Sequence, residues 1–122
     1  MTTQVLDTSK DHERFIECDG AMRRAMRDQI GIQIVAATSG LRVIPTRYGI
    51  QLPVSSGMAV EVLLAANDTY VVRRHFTRRQ KGVPVTFDHG ERTEVYAEDL
   101  SEVVYYAGCY KSYDNGVWQT KA

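Results

Sequence analysis

The stretch MAVEVLLAANDTYVVRRHF, Met58 to Phe76, decides how this chain folds. Met58, Val60, Val62 and Leu64 alternate with other residues, a period of two that puts all four on one face of an extended strand. Asn67-Asp68-Thr69 interrupts the run with residues that favour turns, and Tyr70, Val72 and Phe76 resume the alternation. The expected unit is an antiparallel hairpin whose strands present one apolar face to a common layer.

Towards the C-terminus, Val83, Val85 and Phe87 alternate, Asp88-His89-Gly90 predicts a turn, and Thr93, Val95 and Ala97 predict a return strand. Glu102 to Tyr110 is rich in Val and Tyr and reads as a strand. Helix is the alternative there, because Leu100, Val103, Val104 and Ala107 also share a helical face. Towards the N-terminus, Tyr48 to Leu52 predicts a short strand, and Leu41 to Ile44 an extended run after a turn at Ser39-Gly40. Ile30, Ile32 and Ile34 alternate as a strand would.

Before them the period is helical. Phe15, Cys18, Met22, Met26 and Gln29 or Ile30 recur on one side, Thr8 or Ser9 can cap, and Asp11 and Glu13 sit where the helix dipole favours negative charge. Gly20 marks a candidate break and Gly31 a stop. The expected architecture is one α+β domain over residues 1–122. A helix at about 9–28 packs on an antiparallel β-sheet or small half-open barrel, with a β-rich region at about 30–110 and a short C-terminal tail.

Composition sets limits on function. At 122 residues, 43% hydrophobic and 25% charged, the chain has the size and apolar share of one globular domain. Cys18 and Cys109 are too few for a disulfide-stapled scaffold and are expected as reduced, buried thiols. The first residues lack the basic-then-apolar pattern of a secretory leader, and no apolar run approaches the roughly 20 residues of a membrane span. A cytoplasmic protein that contacts no membrane is the expectation. No phosphate-cradling glycine loop, C-x-x-C or H-E-x-x-H occurs, so neither cofactor nor metal is expected. His89, flanked by Asp88 and Glu91, has the makings of a general base, but Asp-His-Gly is also ordinary turn chemistry.

Charge is balanced in total and uneven along the chain. Residues 41–86 hold seven basic and two acidic side chains, whereas residues 87–122 hold three basic and seven acidic. Arg73, Arg74, Arg78 and Arg79 form a basic ribbon over 73–81. Arg73, His75, Thr77 and Arg79 share one strand face and can follow a phosphate backbone, or pair across strands with Glu94, Tyr96 and Glu98. Tyr105, Tyr106, Tyr110 and Trp118 crowd the C-terminal region, and these large rings are the candidate contacts to a protein partner.

Thr69-Tyr-Val-Val-Arg-Arg74 and the run ERTEVYAEDLSEVVYYAGCY, residues 91–110, resemble small accessory proteins of actinobacterial viruses, mycobacteriophages in particular. The resemblance covers about a third of the chain and carries no catalytic signature. It implies a small protein made in an infected bacterium that binds something rather than turns it over. The function expected is therefore a non-enzymatic accessory protein that contacts a host or viral protein and can self-associate. The alternative is a nucleic-acid-binding module built on the ribbon at 73–81.

Overall fold

The hairpin forms as its alternation predicts. In the computed structural model, β4 (Met58–Leu64) pairs antiparallel with β5 (Tyr70–Gln80), in a register that sets Val62 against Val72 and Leu64 against Tyr70. The structure describes residues 4–55 and 57–109, and the backbone of 112–114 and 117–119. Around the hairpin, β1 (Gln4–Val5), β2 (Ile44–Thr46), β3 (Gly49–Ser55) and β6 (Val83–Val95) complete an antiparallel sheet of order β1-β6-β5-β4-β3-β2. Its first and last strands do not pair with each other, so the sheet is open rather than closed into a barrel.

Four helices accompany the sheet among the described residues: α1 (Asp11–Arg14), α2 (Gly20–Ile30), α3 (Ile32–Ser39) and α4 (Ala97–Cys109). The main core lies between the last three and one sheet face. Ile50, Leu52, Val60, Val62 and Val72 meet Met26, Ile30, Val35, Leu100 and Val104 there. The other face carries a smaller cluster of Phe15, Leu63 and Val71. A two-stranded pair, β7 (Ser112–Asp114) and β8 (Val117–Gln119), follows α4.

Four sequence expectations need correction. The helix expected over 9–28 is two helices. Phe15 leaves α1, bridges to Ala65 and fills the smaller cluster, while the Cys18 amide reaches Arg47 O at 2.9 Å and Asp19 caps α2. The apolar spacing from Phe15 to Ile30 thus serves two cores on opposite sheet faces. Ile32 and Ile34 lie in a helix, not a strand, because Gly31 breaks the chain at φ 92° and α3 restarts to bury Val35, Thr38 and Ser39. Tertiary packing overrides the weak strand preference of β-branched residues.

The segment 97–109 is helical, with Leu100, Val103, Val104 and Ala107 as its inward stripe. Finally, Asp88-His89-Gly90 is no hairpin turn. The turn lies at Lys81-Gly82, both at positive φ, and β6 runs on through a bulge at which Gly90 takes φ 120°. The Asp88 carboxylate accepts the Gly90 amide at 2.9 Å and fixes that bulge.

Candidate functional site

β5 presents alternate residues to opposite faces, so its four arginines meet four different environments. Arg73 is only 2% exposed. Its guanidinium donates to both Asp11 oxygens, at 3.1 and 3.0 Å, and to Glu61 Oε1 at 2.9 Å. Burial pushes its pKa down, but the Asp11 hydrogen bonds and the Glu61 charge outweigh that and hold it above the ordinary arginine value. Arg14, one turn into α1, pairs with Glu91 on β6 at 2.9 Å, and the Arg73 guanidinium lies over the Phe15 ring. The expected pairing of the ribbon with Glu94, Tyr96 and Glu98 is therefore replaced. The cross-strand partner is Glu61, and α1 brings Asp11 over the sheet to close the cluster.

His75 continues that face. Its Nε2 lies 3.8 Å from Glu61 Oε1, and its buried Nδ1 has no hydrogen-bond partner. Desolvation lowers its pKa, aided by Arg73 and opposed by Glu61 and Asp88. On the other face Arg74 is buried too, with Nε directed at Met58 Sδ and Nη1 unpartnered. Its burial lowers its pKa. His89 sits edge-on to Phe76, and burial together with the Arg74 charge lowers its pKa.

Only the end of the ribbon faces solvent. β4 ends opposite Phe76, so residues 78–85 form a two-stranded arm beyond it, with Arg78 and Arg79 exposed and Arg78 over the Phe87 ring. Arg79 also donates to Gly82 O at 2.9 Å, which closes the tip. No carboxylate occurs in residues 77–86.

The aromatic candidates divide similarly. Tyr105 is 40% exposed on α4, and Tyr106 is half-buried with its ring 6.0 Å from that of Tyr105. Tyr110 lies outside the described residues; Trp118 falls in β8, where only the backbone is described. Cys18 is buried as expected, but Cys109, at the end of α4, is exposed. No group of side chains with metal-holding geometry occurs among the described residues, and no helix there is long and apolar enough to cross a membrane.

Sequence reasoning overlooked the corner formed by α2, α3 and β2. One groove of about 290 Å³ lies between α2 and β2, lined by Arg23, Arg24, Arg27 and the apolar Val43, Pro45 and Ile50. A second of about 280 Å³ adjoins it through Arg27 and is lined by Ile32, Val35 and Leu41. Ile32 is 73% exposed and Leu41 56%. Arg23 is fixed by hydrogen bonds to Thr46 O and Gly49 O, whereas Arg24 and Arg27 are exposed and make no ion pair among the described residues. Arg24 and Arg27, three residues apart, were a legible pair once the helix was recognised. Leu41 was not, because its exposure follows from α3 being a helix. The chain matches no family model, no curated protein and no solved structure.

Proposed function

We propose that this protein is a non-enzymatic binding module that acts by protein–protein contact in the cytosol, with a host or viral protein as partner. The observation that carries this reading is the outward placement of Ile32 and Leu41 at one corner with Arg24 and Arg27, which make no ion pair among the described residues. Apolar side chains ringed by arginine are the composition of the energetic centre of an interface. Leu41 adds a second support: it holds φ 73°, a left-handed conformation that leucine rarely adopts. The test is capture from actinobacterial lysate treated with nuclease. A discrete protein should be retained by the wild type and lost with Leu41→Asp; capture indifferent to that change would overturn the reading.

A second reading rests on the arm. Arg78, Arg79 and Lys81 place three positive charges on a β-ribbon without a carboxylate, and Val83 is exposed beside them. A two-stranded ribbon fits the major groove of duplex DNA. If the arm grips phosphates, binding to a mixed-sequence duplex should weaken with salt at a log–log slope of about −2.7, roughly 0.9 for each of three contacts. Arg78→Glu with Arg79→Glu should abolish it. A duplex affinity unchanged in that variant would remove the arm from consideration.

A further inference from the structure

We infer that the α2–α3–β2 corner docks an acidic amphipathic segment of a partner protein, an inference that rests on the protein-contact reading above. The two adjoining grooves share Arg27, so apolar floor and cationic rim form one continuous surface. Ile32, Leu41 and the Val43-Pro45 wall require apolar side chains opposite them. Arg24 and Arg27 require carboxylates, and among the described residues the only acidic side chain lining either groove is Asp28. Exposed Arg42, next to Leu41, adds positive charge to the same corner.

Spacing narrows the ligand further. Arg24 and Arg27 project from neighbouring positions on α2, about 5–6 Å apart at Cβ. Carboxylates three or four residues apart on a helical segment match that interval. The surface is also preformed. Gly40 caps α3 in the left-handed conformation, and the Ser39 hydroxyl is placed to donate to Val35 O at 3.1 Å or Arg42 O at 2.7 Å, holding the loop that presents Leu41. A loop already held in shape loses less conformational freedom when a partner docks. Concavity and exposed leucine and isoleucine favour such a segment over a polyphosphate, which has no apolar stripe to bury.

Synthetic peptides of about five helical turns test this. One carries a leucine stripe flanked by glutamates, a second has lysines for the glutamates, and a third has serines for the leucines. Fluorescence anisotropy should show the leucine–glutamate peptide binding at least about tenfold more tightly than either control. Arg24→Glu with Arg27→Glu should reverse the preference towards the lysine peptide, and Leu41→Asp should remove binding of all three. Equal affinities, no binding, or a preference that survives the double charge reversal would overturn the inference. So would binding to duplex DNA or phosphatidylserine vesicles that depends on the arginine pair while the peptides fail. A lysate partner lost with Leu41→Asp but retained by Arg24→Glu/Arg27→Glu would leave protein contact standing and overturn only the acidic chemistry. The substituted positions are exposed, and thermal melting followed by circular dichroism confirms that each variant is folded.

Discussion

Arg73 keeps its charge in the interior because Asp11 and Glu61 supply opposite charge within 3.2 Å from two directions. Such a cluster adds little net stability over an apolar replacement of the whole group, yet breaking it is costly because the survivors stay buried. Arg73→Met should therefore destabilise the protein by about 3–5 kcal/mol in urea unfolding. Asp11→Asn should cost less, since Glu61 still neutralises the guanidinium; equal losses would argue against the cluster as described. His75 and His89 give a pH signature. Burial lowers both pKa values, so between the ordinary value of about 6.5 and the folded value the unfolded chain binds more protons. Stability is thus unaffected above that window and falls as pH drops through it. The melting temperature should decline as pH falls below about 6.5, and His75→Gln with His89→Gln should flatten the decline. An equally steep decline in that double variant would exclude the two histidines as its cause.

At the scale of elements, glycines separate strict geometric demands from loose ones. A Cβ on Gly49 would stand 1.8 Å from Val62 O, because β3 and β4 approach closely there. Gly49→Ala should cost about 1–3 kcal/mol or more. Gly20, the first residue of α2, has nothing within 4 Å of a Cβ. Gly20→Ala should leave stability unchanged or raise it by about 0.4–1 kcal/mol, chiefly by restricting the unfolded chain. Chemical denaturation of the two variants side by side checks both, and similar values would contradict the packing. The elements themselves were unevenly legible. β4 and β5 follow from alternation alone, whereas Ile32 to Ile34 and Val103 to Tyr105 suit either period. Their helical state was settled by burial of Val35 and Val104 against the sheet.

Across the whole molecule, β6 joins two oppositely charged ends. Its thirteen residues span roughly 35–40 Å, from the basic arm at Val83 to the start of α4, where Glu98 and Asp99 occupy the first turn. A net charge of zero hides this axis. Opposite ends of two copies attract at low ionic strength, and the Debye length shrinks from about 30 Å at 0.01 M to about 3 Å at 1 M. Sedimentation velocity should accordingly show larger species at low salt that dissociate at high salt. Reversal at Arg78 and Arg79 should suppress them; a single species throughout would show that the axis drives no association.

Local pattern by itself determined the class of the fold, the β4–β5 hairpin, the stop at Gly31 and the uneven placement of charge. These are legible because side-chain periodicity and turn chemistry act over a few residues. Only tertiary structure decided how far along the Arg73 face of β5 the strand is covered. Arg73 and Arg79 share that face by alternation, yet α1 packs over the first and the second lies on the arm beyond β4. The same holds for Phe15 and Cys18, alike in spacing and divided between two cores. Burial depends on segments far apart in sequence, and no local period records which of them will arrive.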